Sequence, residues 1–398
     1  MYKLLITLLF TSSFFVSHSQ ALRQLSFGTD STLDIATWNI EHFPKQGQTT
    51  VDSAAAIIKA LNIDVWGLQE IDDITELNKL VAKLPNYKVA TGTGTQRGLA
   101  YVYNEQSVLR PKIYRIYESS AYSSPFPRRP LVFEFQYKGE IYYVINNHFK
   151  CCGDGTLNQS NSGDEEMRRL LASKLLKQWV DSLHSNDNVV VLGDLNDILT
   201  DAPANNVFQN YLNDTANYWV SDLSIEQGAS TNWSYPSWPS HLDHLIVTDE
   251  IQDKMITPGS DVACIRPDDY LNRGWSDYDY KISDHRPVAI KIDFYKTPKD
   301  TIVDSNKVSV FGLYKSENSP TVYPNPFKNE IRITLERNST SNYDVMIFDL
   351  KGKELEQPKI QNLGTELLIE TNYLDKGNYI IVVNKNGNFY HQQTINKL

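Results

Sequence analysis

The sequence predicts an α/β domain followed by a smaller all-β domain. Through most of the chain, short apolar runs rich in Val, Ile and Leu alternate with segments of helical periodicity. Several of these runs end in Asp, Asn, Glu or His. In the C-terminal part, strand patterns and Gly-containing turns follow one another without a helical segment. The length of 398 residues is sufficient for two or three domains.

The composition is that of a folded protein with an acidic surface. Hydrophobic residues make up 41% of the chain and charged residues 22%. The formal net charge is −10, which excludes a global attraction for polyanions. Any contact with nucleic acid must therefore depend on a local basic patch.

The N-terminus has the pattern of a secretory signal peptide over residues 1–19. Lys3 provides the positive charge, and the apolar stretch 4–16 is too short for a comfortable membrane span. Small residues precede the predicted cut before Gln20. No other long apolar run exists, so we expect an exported protein without a transmembrane segment in the mature chain.

Two strand–helix pairs open the first domain. Residues 33–38 and 64–68 are short, mostly apolar runs, as expected of core strands, and the second run ends in Gln69-Glu70. After each strand, apolar residues recur at intervals of three and four, which predicts helices over 51–61 and 74–84.

The next strands form a hairpin and a crossover. A strand over 99–103 follows Arg97, and residues 131–137 and 141–146 flank the turn Lys138-Gly139-Glu140. The long amphipathic pattern of 165–183 predicts a helix that leads to the next strand.

That strand begins the segment VVVLGDLNDI, residues 189–198, around which the domain is organised. Four apolar residues read as a buried strand, and Gly193 allows the backbone to turn. Asp194, Asn196 and Asp197 follow. Taken alone, this is equally well an ordinary strand with an Asx turn. Two further strands, 245–247 and 288–294, complete the predicted domain.

Polar side chains adjoin the ends of most of these strands. They are Asn39 and Glu41, Glu70, His148, Asp194 and Asn196, Asp243, and Asp284 with His285. A single carboxylate after a strand is usually a helix cap or a turn former. Clustered acids repel one another unless a cation offsets them, and oxygen-rich clusters suit Mg²⁺, Mn²⁺ or Ca²⁺.

The same segments resemble the endonuclease/exonuclease/phosphatase superfamily. The matching strings, in the order of the family, are TWNIEHF, WGLQEI, RGLAYVYN, NNHFK, VLGDLND, HLDHLIV and SDHRPV. The resemblance covers about residues 30 to 295. It implies a deoxyribonuclease-like four-layer α/β/β/α sandwich, in which two β-sheets pack together with helices outside.

The resemblance also implies a divalent metal site of one or two ions, Mg²⁺ or else Mn²⁺ or Ca²⁺. Glu70 corresponds to the principal ligand, helped by Asn39, Glu41 and Asp284, with Asp194 included in the predicted set. A phosphodiester anion repels hydroxide, so a metal must neutralise it and lower the pKa of bound water.

The remaining predicted site residues are assigned to catalysis by the same resemblance. Asp194 corresponds to the base or orienting group for the attacking water, and Asn196 would bind a phosphoryl oxygen. His285, held by Asp243, would stabilise the charge that develops on phosphorus. His148 would hydrogen-bond the phosphate or protonate the leaving oxygen.

One position departs from the family pattern. In the pancreatic-type nuclease an acid near the RGLAYVYN strand orients the first histidine, but here Arg97 stands in that neighbourhood. We therefore expect His148 to lack a carboxylate partner and Arg97 to bind phosphate, with an ordinary solvated strand edge as the alternative.

Other candidate substrate contacts are basic and aromatic. They are Lys150, Arg168 and Arg169, then Arg128 and Arg129, and the loop residues Trp233, Tyr235 and Trp238. The basic residues could form positive patches. The aromatic rings could stack on a base or contact a lipid headgroup, or they could form a loop cluster.

The three cysteines leave their pairing open. Cys151 or Cys152 could pair with Cys264, or the two neighbours could pair with each other.

The C-terminal part is predicted to be a linker over 296–318 and an immunoglobulin-like β-sandwich over 319–398. YPNPF, FDLKGK and LDKGNYIIVV resemble the C-terminal sorting domain of type IX secretion cargo. The alternative is a carbohydrate-binding or adhesive sandwich. The resemblance implies export through the type IX machinery to the medium or the cell surface. Residues 20–295 would then form the catalytic domain of a monomer.

The expected function is a secreted phosphoesterase that depends on a divalent metal, in the first place an extracellular endonuclease acting on DNA or RNA. One alternative is a phosphodiesterase or phosphatase acting on lipid headgroups, as sphingomyelinases do, or on small organophosphates. The other is a catalytically inactive binding or adhesion protein.

Overall fold

The computed structural model describes residues 22–92, 98–257 and 259–294, and then 322–335, 343–349, 355, 359–385 and 388–398. The chain divides into two compact units, 1–309 and 310–398. The predicted signal peptide and the predicted linker lie outside the described residues. No helix in the described part is long and apolar enough to cross a membrane.

The described residues of the first unit form twelve strands in two six-stranded sheets. The strands are β1 (Thr32–Phe43), β2 (Val65–Ile71), β3 (Tyr87–Ala90), β4 (Gly98–Asn104), β5 (Leu109–Arg115), β6 (Leu131–Tyr137), β7 (Glu140–His148), β8 (Asn188–Asp194), β9 (Tyr218–Val220), β10 (Asp243–Thr248), β11 (Asp261–Cys264) and β12 (Val288–Asp293). The first sheet has the order β11-β12-β1-β2-β4-β3, and the second has the order β5-β6-β7-β8-β10-β9. Both sheets are mixed, since β1 and β2 are parallel, as are β7 and β8.

Seven helices of this unit are described in full, of which three were predicted from periodicity and four short ones were not. They are α1 (Gln48–Leu61), α2 (Ile74–Val81), α3 (Glu165–Leu183), α4 (Gln209–Leu212), α5 (Leu223–Glu226), α6 (Asp249–Gln252) and α7 (Trp275–Lys281). The predicted helix 74–84 ends earlier, at Val81, where the next residues form a turn.

The alternation of side chains along β1 shows how the layers form. Leu33 and Ile35 point into the apolar core between the two sheets. Trp38 and Ile40 point to the other face, against α1 and α2. On the far side of the second sheet, a third core packs α3 against β7 and β8. The predicted four-layer α/β/β/α sandwich is confirmed.

The strand that organises the domain extends further than the sequence indicates. We expected it to end at Leu192, but β8 continues through Gly193 to Asp194. Gly193 has φ 145°, and a Cβ there would lie 2.0 Å from the carbonyl oxygen of Asn147. Only glycine allows β7 and β8 to approach this closely, which keeps them paired to their last residues.

The second unit is entirely β-structure in the residues described. Its strands are β13 (Val322–Tyr323), β14 (Glu330–Thr334), β15 (Tyr343–Asp349), β16 (Ile360–Asn362), β17 (Glu366–Glu370), β18 (Gly377–Lys385) and β19 (Asn388–Lys397). They form a four-stranded and a three-stranded antiparallel sheet that share one apolar core. This agrees with the predicted all-β C-terminal domain.

Candidate active site

The register of the second sheet places three predicted site residues side by side. His148, the last residue of β7, pairs with Asp194, the last residue of β8. Asp194 pairs in turn with Asp243, the first residue of β10. All three side chains are buried. A continuous row of two carboxylates and an imidazole therefore follows directly from strand pairing.

The first sheet contributes Asn39 and Glu70 to the same place. Asn39 lies on the face of β1 that points to the other sheet, and its Nδ2 donates to Asp194 Oδ2 at 2.9 Å. The same nitrogen donates to Glu70 Oε1 at 3.2 Å. The side-chain oxygen of Asn39, Oδ1, accepts a hydrogen bond from the backbone N–H of Glu41 at 3.0 Å. Asn39 thus joins the two sheets and orients two carboxylates.

His285 reaches this row from the segment between α7 and β12. Its Nδ1 lies 2.7 Å from Asp243 Oδ2, which fixes the ring and leaves Nε2 3.8 Å from Asp194 Oδ2. Its backbone carbonyl accepts hydrogen bonds from Trp38 and Tyr278. Because the main chain and the ring are both held, the direction of Nε2 is set in advance.

His148 is on the opposite side of Asp194. Its Nε2 lies 3.5 Å from Asp194 Oδ2 and 3.9 Å from Glu70 Oε1. Its Nδ1 is buried and has no hydrogen-bond partner among the described residues. Since Nε2 faces carboxylate oxygens, it carries the proton, and the unpaired Nδ1 is the acceptor nitrogen.

The two histidines are driven to opposite protonation states. Burial opposes protonation of His285, but the charges of Asp243 and Asp194 and the Asp243 hydrogen bond outweigh it and raise its pKa to about 10. Burial lowers the pKa of His148 to about 4, with Arg128 and His285 acting in the same direction against Asp194. At neutral pH one ring is an imidazolium and the other is neutral.

The remaining carboxylates lie at the outer edge of this cluster. Glu41 Oε2 accepts a hydrogen bond from the backbone N–H of Asp284 at 3.0 Å. It also forms an ion pair with Lys45. Burial raises the pKa of Asp284 to about 6, and the charges of Glu41 and Glu70 add to the increase against His285. Glu70 Oε2 accepts the backbone N–H of His42 at 3.0 Å.

These residues fit a hard divalent cation by their chemistry. They offer carboxylate oxygens. A bound cation would offset the charges of Glu41 and Glu70, which add to burial in raising the pKa of Asp284. Three site residues other than glycine also have positive φ: His42 at 48°, Glu70 at 61° and Asn196 at 55°. Backbone strain of this kind concentrates where side chains must be aimed for function.

The basic residues separate into internal and outward-facing ones. Arg169 is buried and ion-paired with Glu166 and Asp197, and Arg129 is buried and donates to two backbone carbonyls. Neither forms a positive patch, which corrects that expectation for both. Arg128 is half-buried, lies beside Gly98, and its charge acts on His148.

The aromatic candidates for substrate contact also differ in their exposure. Tyr235 packs on His285 with ring centroids 4.8 Å apart, and Trp238 is 78% exposed in the same loop. Trp233 is half-buried and donates from its ring nitrogen to a backbone carbonyl. Arg97, the predicted phosphate contact, lies outside the described residues.

A second histidine cluster behind the site was not predicted. His241, His244 and Asp222 are fully buried, with both rings within 3.0 Å of Asp222 Oδ2. His241 Nδ1 accepts the backbone N–H of Ser234, so its Nε2 must carry a proton and cannot bind a metal. His244 donates from both nitrogens, to Asp222 and to the Asp197 carbonyl.

This cluster is therefore structural, and it supports the loop that carries Asn196. The charge of Asp222 outweighs burial and raises the pKa of His244 to about 9, so the ring is an imidazolium. Its bond to the Asp197 carbonyl, with the Arg169 bond to the Asp197 carboxylate, anchors the loop after β8. The only sequence signal was that His244 directly follows Asp243.

The cysteines are free in this structure. The sulfurs of Cys151 and Cys152 are 2.9 Å apart in an exposed loop, whereas Cys264 is on β11. Neither of the pairings that involve Cys264 is formed.

Comparison with known families agrees with this geometry. The Endonuclease/Exonuclease/phosphatase family matches residues 36–285, and a secretion system C-terminal sorting domain matches residues 321–397. The chain belongs to the Endonuclease/Exonuclease/phosphatase family, whose members are metal-dependent phosphoesterases. Its sorting domain indicates export by type IX secretion to the cell surface or the medium. Both resemblances predicted from the sequence are confirmed.

Several solved structures are similar to this chain. TDP2 from D. rerio with a single-strand DNA product is 15% identical, with a TM-score of 0.47 over 66% of this chain and 99% of its own. A family member from Bacteroides vulgatus has the same values. The mannosyl-6-phosphatase of Bacteroides thetaiotaomicron VPI-5482 is 16% identical, with a TM-score of 0.45 over 66% and 100%. No curated protein matches the chain.

Proposed function

We propose that this protein is an extracellular phosphodiesterase that hydrolyses nucleic acid, DNA or RNA, with a divalent metal ion. The observation that supports this most strongly is the position of Asp194 between two histidines. Its Oδ2 lies 3.5 Å from His148 Nε2 and 3.8 Å from His285 Nε2. A base flanked by two N–H donors suits attack of water on a phosphorus centre.

Asp194 would act as the base for the attacking water. Its Oδ1 is engaged by the backbone N–H of Asn196, and Asn39 fixes Oδ2, so the carboxylate cannot rotate freely. Oδ2 would accept the proton as the water oxygen approaches phosphorus. The sheet holds this oxygen at the end of β8, which makes its position rigid.

His285 and Asn196 would stabilise the negative charge on the phosphoryl oxygens. The imidazolium of His285 presents Nε2–H, and Asp243 balances its charge from behind. The amide of Asn196 has only one weak contact, 3.5 Å to the Phe149 carbonyl, so it is free to donate to a substrate. His148 is neutral, so it would donate a hydrogen bond to the phosphate, and the leaving oxygen would take its proton from solvent water.

The predicted metal ligands are Asn39, Glu41, Glu70, Asp194 and Asp284, with Glu70 at the centre. A divalent ion held there supplies positive charge that polarises the phosphoryl group and favours ionisation of water. The chain's own contribution is to hold these oxygens in place and to keep water and substrate oriented.

Nucleic acid is favoured as substrate by the surroundings of His285. The ring of Tyr235 against His285 and the exposed Trp238 in the same loop offer faces on which bases can stack. On the other side, Arg128 provides a positive charge for phosphate. A small organophosphate is the second candidate, because a net charge of −10 gives no long-range attraction for a polyanion.

The test is an activity screen of the purified chain with Mg²⁺. Plasmid nicking that disappears with chelator supports the proposal, and turnover of bis-nitrophenyl phosphate without cleavage of DNA or RNA supports the second candidate. The His285→Ala variant should lose most of its activity. His184→Ala is the matched control, because His184 also pairs with an aspartate, Asp187, but at the opposite end of β8. Absence of hydrolysis on every phosphoester would refute both.

A further inference from the structure

Lys45 is placed among the acids of the site by three contacts. Its Nζ donates to Glu41 Oε2 and, at 2.7 Å, to the backbone carbonyl of Asp279, and it lies 3.6 Å from Asp279 Oδ1. The side chains of Lys45 and Glu41 are each only 21% exposed. The ammonium is therefore held by groups on two separate segments, unlike the long flexible lysines of a protein surface.

Glu41 and Glu70, two of the predicted metal ligands, differ in the groups that balance their negative charge. Glu41 Oε2 forms an ion pair with the ammonium of Lys45 and also accepts a hydrogen bond from the backbone N–H of Asp284. Glu70 receives its hydrogen bonds from neutral groups, the Asn39 amide and the His42 backbone N–H. Within the described residues, no lysine or arginine is ion-paired with Glu70. Its only basic neighbours in the described structure are the imidazoles of His42 and His148, each 3.9 Å away, so Glu70 has no permanently charged partner of the kind that Lys45 provides for Glu41.

The ammonium of Lys45 is also stabilised by a contact that does not involve Glu41, the hydrogen bond to the Asp279 carbonyl. The Asp279 carbonyl belongs to the last turn of α7, where helix carbonyls lack partners within the helix and attract cations. An ammonium satisfies such a carbonyl directly. Displacement of Lys45 would break this hydrogen bond, and a second divalent ion beside Glu41 would be repelled by the ion held at Glu70.

We propose that Lys45 is a built-in cation of the metal site, which takes the place of a second divalent ion beside Glu41 and Asp284. The inference rests on the proposed metal-dependent function and narrows it. The site then binds a single divalent ion, centred on Glu70. Glu41 neutralises Lys45 instead of ligating the ion. Two-metal sites place their ions about 4 Å apart, and Lys45 prevents that arrangement.

The experiment measures metal stoichiometry without using activity. The full chain is titrated with MnCl₂ by calorimetry, and the bound Mn²⁺ is examined by electron paramagnetic resonance. Wild type should bind one ion with the spectrum of an isolated Mn²⁺. Lys45→Met keeps the apolar stem and removes the charge, so it should bind a second equivalent and show spin coupling between the two ions.

Two further variants make the result specific. Lys45→Arg retains the positive charge and should still bind one ion. Lys79→Met is the matched control, because Lys79 is an exposed lysine that is also paired with a glutamate, Glu76. It should leave the stoichiometry at one.

The possible failures are distinguishable. Two ions in wild type would overturn the role of Lys45 alone, as would a folded Lys45→Met variant with unchanged stoichiometry and affinity. The wild-type value keeps the test decisive even if Lys45→Met does not fold. Absence of any Mn²⁺ binding by wild type would overturn the metal-dependent function itself.

Discussion

Replacement of Asp34 by asparagine should make the protein more stable at alkaline pH and less stable in acid. Asp34 lies near the start of β1, five residues before Asn39 and so about 17 Å from the site at ~3.3 Å per residue. Its side chain is fully buried. Oδ2 accepts from the Thr29 N–H and the Thr32 hydroxyl, while Oδ1 has no partner in the described structure.

The magnitude follows from the pKa. Burial, and then the charge of Asp64, raise the pKa of Asp34 from 3.8 to about 7. Between these values the folded state binds a proton that the unfolded state does not, so stability falls as pH rises. At about 1.4 kcal/mol per pKa unit, the loss is about 4 kcal/mol and is complete above pH ~7.

The introduced amide would not titrate, so the Asp34→Asn variant escapes this loss. Its oxygen can retain both hydrogen bonds, but its nitrogen would replace the unpartnered Oδ1 and cost about 1–3 kcal/mol at every pH. The variant should therefore be less stable than wild type near pH ~4 and more stable by about 1–3 kcal/mol near pH ~8.

The assay is urea unfolding followed by tryptophan fluorescence. All seven tryptophans are in the first unit, and Trp38 and Trp66 pack at 5.8 Å in its core, so the signal reports that unit. Asp30→Asn, at an exposed acid in the turn that precedes β1, is the control and should shift stability little at either pH. Parallel pH profiles for wild type and Asp34→Asn would refute the reasoning.

Three further predictions concern the site. His285→Ala should lower kcat on the order of 10²–10⁴-fold in a protein that still folds but unfolds at a lower midpoint, because Asp243 loses its buried partner, and wild-type turnover would remove His285 from the mechanism. Asp243→Asn should reduce kcat at least ~10-fold, because the Nδ1 partner of His285 changes from an acceptor-only carboxylate to an amide; unchanged kcat would contradict this. Arg128→Ala should raise KM several-fold with kcat nearly retained in steady-state kinetics, whereas the exposed control Arg23→Ala should change neither; an equal loss of kcat would place Arg128 in the chemical step instead.

The fold was predictable because its signals are local and repeated. Alternation along β1 assigns one set of side chains to the inter-sheet core and the other to the helices, and it places Asn39 on the inner face. The end of β8 was less predictable. Gly193 read as a turn, but its true role is close packing against Asn147 on β7, which depends on a neighbouring strand that spacing alone does not locate.

The proximity of the candidate site residues was predictable from the sequence, but their charge states were less so. The row His148, Asp194 and Asp243 follows from strand ends that sequence patterns reveal. The difference between Arg128 and Arg129 does not, because it depends on which guanidinium finds buried carbonyls to satisfy.

The role of Glu41 also depends on contacts that the sequence does not reveal. From the sequence, Glu41 is only one of several acids in the predicted metal site. Lys45 follows four residues later, a spacing that brings side chains together on a helix but has no fixed meaning in a turn. Its ammonium reaches Glu41 because α7 ends with the Asp279 carbonyl directed at it, more than 200 residues away in the chain. Tertiary contacts therefore determine whether a carboxylate is available as a metal ligand or is paired with a lysine. On the proposal above, the number of metal ions that the site binds depends on the pairing of Lys45 with Glu41.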